Sequence, residues 1–221
     1  DWYQHGQNVL FWHWSPEYQW EMHHEITGYN ECIIAYILGA ASPTHPIRPE
    51  TYHEGWARNG NIESNEAYYG MPLELEHRNT QRGGPLFWAH YSYLGLNPRN
   101  LKDKYADYWR HNRNHVLINR QYCIENPNNF EGYGENCWGL TSSYSIRDYN
   151  ELPDDTSFKG TDPMVGYAGH KPDRDHSVIA PTAALASFPY APEECMKVAR
   201  FFYEELGDEL MGPYGFYDAF S

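Results

Sequence analysis

Residues 29–41, Tyr29-Asn30-Glu31-Cys32-Ile33-Ile34-Ala35-Tyr36-Ile37-Leu38-Gly39-Ala40-Ala41, decide the fold class. Apolar side chains occupy almost the whole circumference of the helix that this segment predicts, which marks a helix buried on every side. Thr27 or Asn30 can cap its start, and Ser42-Pro43 stops it. Working outward, residues 50–59 predict a weaker helix. Gly83-Gly84-Pro85 leads into LFWAHYSYLGL (86–96), a second largely apolar helix with Pro85 suited to its first turn. A third runs from about Lys102 to Ile124, and the amides Asn112 and Asn119 interrupt its stripe of Tyr105, Tyr108, Trp109, Val116 and Cys123. Ile179–Phe188 is short, Ala-rich and closed by Pro189. The last helix starts at Pro192 and places Cys195, Val198, Ala199, Phe202 and Leu206 on one face before Gly207 ends it. No period-2 run of convincing length appears. An all-α chain is expected, with inner helices covered by outer ones.

The length of 221 residues suits one large domain. Thirty acids against 16 bases give a net charge of −14, which excludes a nucleic-acid binder and disfavours an anionic membrane surface. No stretch approaches the ~18 apolar residues of a membrane span, so no membrane insertion is expected. Aromatic residues make up 17% of the chain, which excludes intrinsic disorder. Tyr and Trp join a flat apolar face to a polar tip, the chemistry that fits a sugar ring. Cys32, Cys123, Cys137 and Cys195 form no C-x-x-C pair and are expected to be free, buried hydrophobes. Asp1 opens a segment with neither a basic nor an apolar leader region, so the expectation is a removed leader or a piece of something longer.

Candidate chemistry lies between the helices, in 62–82 and 125–171, which are longer than plain connectors need to be. Gly132-Tyr133-Gly134-Glu135-Asn136-Cys137-Trp138-Gly139 sets a carboxylate among three glycines and two aromatics. Desolvation beside those rings is expected to raise the Glu135 pKa towards that of a general acid, with Tyr133 and Trp138 as sugar platforms. Glu31 stands at the mouth of the buried helix, where it either satisfies the helix N-terminus or points inward as a reactive acid. Trp20-Glu21-Met22-His23-His24-Glu25 is not H-E-x-x-H, and its groups suit sugar hydroxyls or solvent better than zinc. Asp175 or His176 can cap the Ile179 helix, and Tyr214-Gly215-Phe216-Tyr217-Asp218 repeats the Gly–aromatic–acid pattern. Phosphate loops and the G-x-S-x-G elbow are absent. Acids, aromatics and amides remain, the toolkit of glycoside chemistry.

Several long motifs resemble one family. GYNECIIAYILGAASPTHPI (28–47), GGPLFWAHYSYLGLNPRNLKDKYADYW (83–109), CIENPNNFEGYGENCWGLTSS (123–143), IAPTAALASFPYAPE (179–193) and YGFYDAF (214–220) look like the bacterial glucoamylase-like glycoside hydrolases. That group includes endo-β-1,2-glucanases and domains of cyclic β-1,2-glucan synthases. The resemblance implies an (α/α)6 toroid around a sugar-binding cavity, and an inverting hydrolase of a glucan, secreted or periplasmic, with no cofactor and no metal. It carries Glu31 and Glu135 over as the catalytic acids, and Tyr133, Trp138, Asp175 and Asp218 as substrate contacts. Where relatives carry two acids and a glycine, this chain reads RDHSVIAP (174–181), which leaves the role of Asp175 open.

About six helices are half of the twelve that a toroid needs, so the chain is expected to be the C-terminal part of one. Glu31 is expected as the acid and Glu135 as a base or substrate clamp, with the two roles open to exchange. The partner is an oligo- or polysaccharide and the expected state is a monomer. Two alternatives belong to other classes. One is a polysaccharide lyase or sugar epimerase using His90-Tyr91 or His23-His24, and the other a non-catalytic glycan-binding module.

Overall fold

The computed structural model describes residues 6–146 and 165–221. The chain is dominated by helices, with small two-stranded sheets, and divides into two compact units. Unit one comprises residues up to Thr80 together with Trp88–Asn112, and unit two Gln81–Phe87 together with everything from Arg113. Among the described residues no helix is long and apolar enough to cross a membrane.

Unit one is built on α1 (Ile33–Ala40). The Tyr36 hydroxyl at its centre donates to the Ile26 carbonyl at 2.8 Å and accepts from the Leu10 N–H at 3.1 Å. Leu10 and Ile26 themselves pair at the base of an irregular hairpin spanning 10–26. Gly55 permits the next contact, because a Cβ there would lie 2.6 Å from the Tyr36 hydroxyl and 2.8 Å from the Asn8 carbonyl. The weak helix expected at 50–59 is therefore a single π-helical turn, Thr51–Trp56, followed by a 3-10 turn, Arg58–Gly60. Trp56, Ile62, Leu75 and Tyr108 complete the core, each fully buried apolar side chain contributing about 1.5–3 kcal/mol. The segment 62–82 carries a short hairpin of β1 (Ala67–Tyr68) and β2 (Met71–Pro72).

Burial of α1 departs from expectation. Only Ile33 and Tyr36 are fully buried, while Leu38 is 64% exposed. A groove of about 980 Å³ runs along its Cys32, Ala35 and Leu38 side, and one of about 610 Å³ along Ile33, Ile37 and Ala40. Composition tells which faces of a helix are apolar; it does not tell which of them have neighbours.

The predicted 86–96 helix is also corrected. It forms two 3-10 turns, Leu86–Ala89 and Tyr91–Leu94. The Leu86 and Phe87 N–H groups are drawn off to the Leu140 carbonyl (3.1 Å) and the Thr141 hydroxyl (3.2 Å). The long helix α2 (Tyr108–Glu125) starts later than its apolar stripe because Asp103 takes the Tyr105 and Ala106 N–H groups, both at 2.8 Å. Asp107 then caps the helix through the Arg110 N–H at 3.2 Å.

In unit two, α2 packs on the Gly83-Gly84 turn. A Cβ on Gly83 would sit 2.3 Å from the His115 ring, and its φ of +88° is one that glycine adopts without strain. The His115 ring donates from Nε2 to the Gly84 carbonyl at 2.9 Å. Asn119 exchanges two bonds with the Leu140 backbone, at 3.1 and 3.3 Å, so the amide interrupting the apolar stripe is paired as a buried amide must be. An antiparallel pair, β3 (Ser142–Ile146) and β4 (Val165–Gly169), adds strand where an all-α chain was expected. Its Ser-Ser-Tyr-Ser start carries no apolar alternation to announce it. Residues 147–164 of the 125–171 segment lie outside the described residues.

Helix α3 (Pro181–Ala186) leads to α4 (Pro192–Glu204), which buries Cys195, Val198 and Phe202 as its spacing predicts. A short helix, α5 (Gly207–Leu210), and the strands β5 (Met211–Gly212) and β6 (Gly215–Phe216) end the unit. The cysteines are all free; Cys32 is half-buried and the other three are buried. Asp218, expected as a sugar contact, is exposed and bonds the start of α3: its carboxylate accepts the Thr182 hydroxyl at 2.6 Å and the Thr182 N–H at 3.3 Å.

Two outcomes follow from this packing. Replacing Asp218 with Ala should cost about 1 kcal/mol in urea unfolding, the usual worth of a side-chain bond to a helix start, while leaving sugar affinity intact. Burial holds the His115 imidazole down at about 4, against 6.5 for an ordinary histidine. The unfolded chain therefore takes up this proton first. Its contribution to stability is full above pH 6.5 and shrinks towards pH 4 by on the order of 3 kcal/mol. NMR of the His115 ring checks this directly, and protonation near 6.5 in the folded protein would contradict it.

Candidate active site

Glu31 sits where α1 begins, in a loop that the sequence shapes residue by residue. Gly28 turns with φ +77° and donates its N–H to the Trp56 carbonyl at 2.9 Å. A side chain there would press on the His77 ring, 3.2 Å from a Cβ. The Tyr29 N–H bonds the Glu76 carbonyl at 3.1 Å, and the Tyr29 hydroxyl donates to Asn112 at 3.0 Å. The Tyr29 ring meets His111 edge-on with centroids 4.3 Å apart. Neither expected residue caps α1, whose N-cap is Cys32 with no side-chain cap; the Asn30 side-chain oxygen accepts the Cys32 N–H at 2.8 Å and its amide bonds the Thr27 carbonyl, shaping the turn ahead of the helix. Ser92 donates to the Glu31 carbonyl and accepts the Ile34 N–H at 3.2 Å.

The loop thus immobilises the Glu31 backbone without neutralising its side chain. Glu31 is half-buried, and desolvation lifts its pKa above the ordinary glutamate value, opposed only in part by a hydrogen bond from its own backbone. Burial and the nearby Glu31 charge together push the Cys32 thiol up to about 12. His77, whose ring packs at 5.1 Å from Trp88, is held down at about 4, mainly by burial and then by Arg78 and Arg58. Burial in this part of unit one thus works against charge, raising the Glu31 carboxyl and lowering the His77 imidazole.

Unit two holds the other residues named from the sequence. The Tyr133 hydroxyl donates to Asp175 Oδ1 at 2.7 Å, and the Ser177 N–H reaches the same oxygen at 3.0 Å. Burial raises the Asp175 pKa, while Tyr133, Ser177 and Tyr122 pull it back. The Tyr133 phenol is raised in turn, by burial first and by Asp175 next. Sequence reading put Tyr133 and Asp175 in one site without pairing them; 42 residues of separation hid the bond.

Two expectations are corrected here. Glu135 is exposed rather than desolvated. It bonds Lys197 Nζ at 2.6 Å and lies 3.2 Å from Arg120 Nη2. Lys197 and then Arg120 hold its carboxyl below the usual range, opposite to the expected direction. The cause is the tight turn bridging Gly134 and Cys137, which turns Glu135 out towards α2 and α4. Trp138 has no exposed surface and belongs to the unit's core, not to a sugar platform. Its neighbour Gly139 (φ +131°) packs so closely on α3 that a Cβ would lie 2.9 Å from the Ala180 carbonyl. The 132–139 loop is consequently a rigid support that presents Tyr133, with Glu135 anchoring its outer edge.

Comparison with known proteins agrees with the resemblance drawn from the motifs. The family described as "Putative glucoamylase" matches residues 23–221. The chain is 52% identical to an endo-β-1,2-glucanase from Chitinophaga pinensis, solved with sophorotriose and glucose, over 100% of this chain and 49% of that one, with a TM-score of 0.88. A β-1,2-glucanase structure from Parabacteroides distasonis gives 38% identity and a TM-score of 0.84, over 100% of this chain and 31% of that one. An exo-β-1,2-glucooligosaccharide sophorohydrolase from the same species is 40% identical over 239 residues, 100% of this chain and 30% of its own length. The chain thus spans between about a third and a half of these relatives. With its motifs, its fold and a match reaching from residue 23 to its last residue all in accord, the chain belongs to the Glycoamylase family.

Proposed function

We propose that this chain acts in the hydrolysis of a β-1,2-glucan or a related glucose polymer, as the C-terminal part of an (α/α)6 toroid. The observation that carries the reading is Glu31, a half-buried carboxyl with a raised pKa on an immobilised backbone. Beside it stands the likeness to relatives named as β-1,2-glucan hydrolases. The smaller groove, along Ile33, Ile37 and Ala40, leaves one face of α1 open to a further helix, which fits the toroid. The enzyme works outside the cytoplasm, secreted or periplasmic, where polymeric glucan is met.

The chemistry is inverting. Glu31 protonates the glycosidic oxygen, and an ionised carboxylate activates water on the opposite face of the sugar, ~6.5–9.5 Å away. Two cations already engage Glu135, which makes it a poor base, so its part is that of a clamp on the 132–139 loop. Asp175, bonded by Tyr133 and shielded from water, is the carboxylate of unit two whose setting best suits a substrate contact. A neutral polymer suits a protein of charge −14, which weakens the lyase reading with its anionic uronate substrates.

Reducing-sugar release from β-1,2-, β-1,3-, β-1,4- and α-1,4-glucans tests the reading, with product expected from the β-1,2 polymer. Glu31→Gln should lower kcat by about 10²–10⁴ with an unchanged melting temperature, the range expected for loss of a general acid. Because desolvation raises the Glu31 pKa, the acid stays protonated beyond the ordinary glutamate range. Activity is then lost as pH rises through the raised value, and this alkaline limb vanishes in the variant. Near-normal turnover by Glu31→Gln would remove Glu31 from the mechanism.

A further inference from the structure

The 10–26 hairpin of unit one has no part in the proton transfers just described. Its inner side is anchored: Phe11 is 2% exposed, Leu10 and Ile26 are buried, and Phe11 meets Trp20 edge-on at 6.0 Å. Its outer side is aromatic. Trp12 is 37% exposed, Trp14 52% and Tyr18 67%. The Trp12 ring lies nearly parallel to His24, 17° between planes with centroids 5.6 Å apart, and His13 packs on His24 at 5.5 Å. One Trp12 face is thereby braced, and the residue also lines the larger groove beside α1.

Three large rings left open on one hairpin offer flat apolar faces whose polar tips stay in water. Their chemistry narrows the occupant. Indole faces stack on the apolar faces of sugar rings, and imidazoles and carboxylates bond the hydroxyls around them. Glu17, Glu21 and Glu25 are exposed on the same hairpin, and their charge repels an acidic polymer or a phosphate backbone. The second arm continues from Ile26 into the Gly28–Glu31 loop, so hairpin and acid belong to one continuous stretch of unit one.

We propose that Trp12, Trp14 and Tyr18, with His24, form an accessory surface that holds glucosyl units of a neutral glucan away from the bond being cleaved. This rests on the glucan-hydrolase reading and adds to it a contact that depends on chain length. Short oligosaccharides end before the hairpin; long ones reach it.

The test uses the intact protein with Trp12→Ala and Trp14→Ala, scored on β-1,2-gluco-oligosaccharides of increasing length. Both variants should melt as the wild type does and keep kcat. KM for the shortest cleaved substrate should be unchanged, while KM for long chains rises about three- to tenfold, the worth of one aromatic contact. Equal KM values for long chains in wild type and Trp14→Ala, whose ring is the more exposed of the two indoles, overturn the proposal while hydrolysis stands. If the wild type hydrolyses no glucan, it is the function that falls. Calorimetry of long β-1,2-gluco-oligosaccharides then judges the hairpin alone, with weaker binding by Trp14→Ala sustaining it and equal affinity rejecting it.

Discussion

One phenolic oxygen holds unit one in register. Tyr36 reaches from α1 to both arms of the 10–26 hairpin, donating to Ile26 and accepting from Leu10. A hydroxyl buried this deeply loses several kcal/mol of hydration unless both its functions are met, and here they are. The geometry works only because residue 55 has no side chain. The hairpin, α1 and the π-helical turn are thus three elements adjusted to a single atom, and the Glu31 loop is strung between two of them. The precision with which Glu31 is placed is inherited from this junction.

Solvation sorts the acids more than their local sequence does. Glu31 and Asp175 are both shielded from water and both raised in pKa, whereas Glu135 stands in solvent between two cations and is lowered. Glu135 nonetheless carries the most suggestive sequence context of the three. Glycines and aromatics around an acid imply a pocket only if the turn folds inward, and this one folds outward. The aromatic richness of the chain divides in the same way. Trp138, Trp56 and Tyr108 are core, Tyr133 orients a carboxylate, and the hairpin rings face water.

What was legible in the sequence is what depends on near neighbours. Helix α4 was readable because a one-sided stripe with a Pro–Glu–Glu start has one interpretation. Asn30 was legible as a local bonding residue because it acts across two residues, although on the Cys32 N–H ahead of the helix and not as its cap. The 86–96 segment was not, since an apolar run does not distinguish one continuous helix from two successive 3-10 turns. Nor was the fate of Glu135, whose partner Lys197 is 62 residues away, or of Asp218, whose partner Thr182 is 36 away. Family motifs named both Tyr133 and Asp175, and the two side chains are hydrogen-bonded. They could not tell an acid bonded to a helix start, as Asp218 is, from a shielded one such as Asp175, because both were named on motif likeness alone.

The free cysteines give the molecule a built-in clock for its own opening. Burial pushes Cys137 and Cys195 up to about 12 and Cys123 well above the ordinary thiol. A thiolate-seeking reagent meets almost no reactive sulfur in those three until unit two loosens. Cys32, also raised to about 12, is the sulfur of unit one. Mass spectrometry of labelled peptides along a urea series would therefore record the breathing of each unit separately from the same sample. The chain carries its own gauge of whether its two halves yield together or in turn.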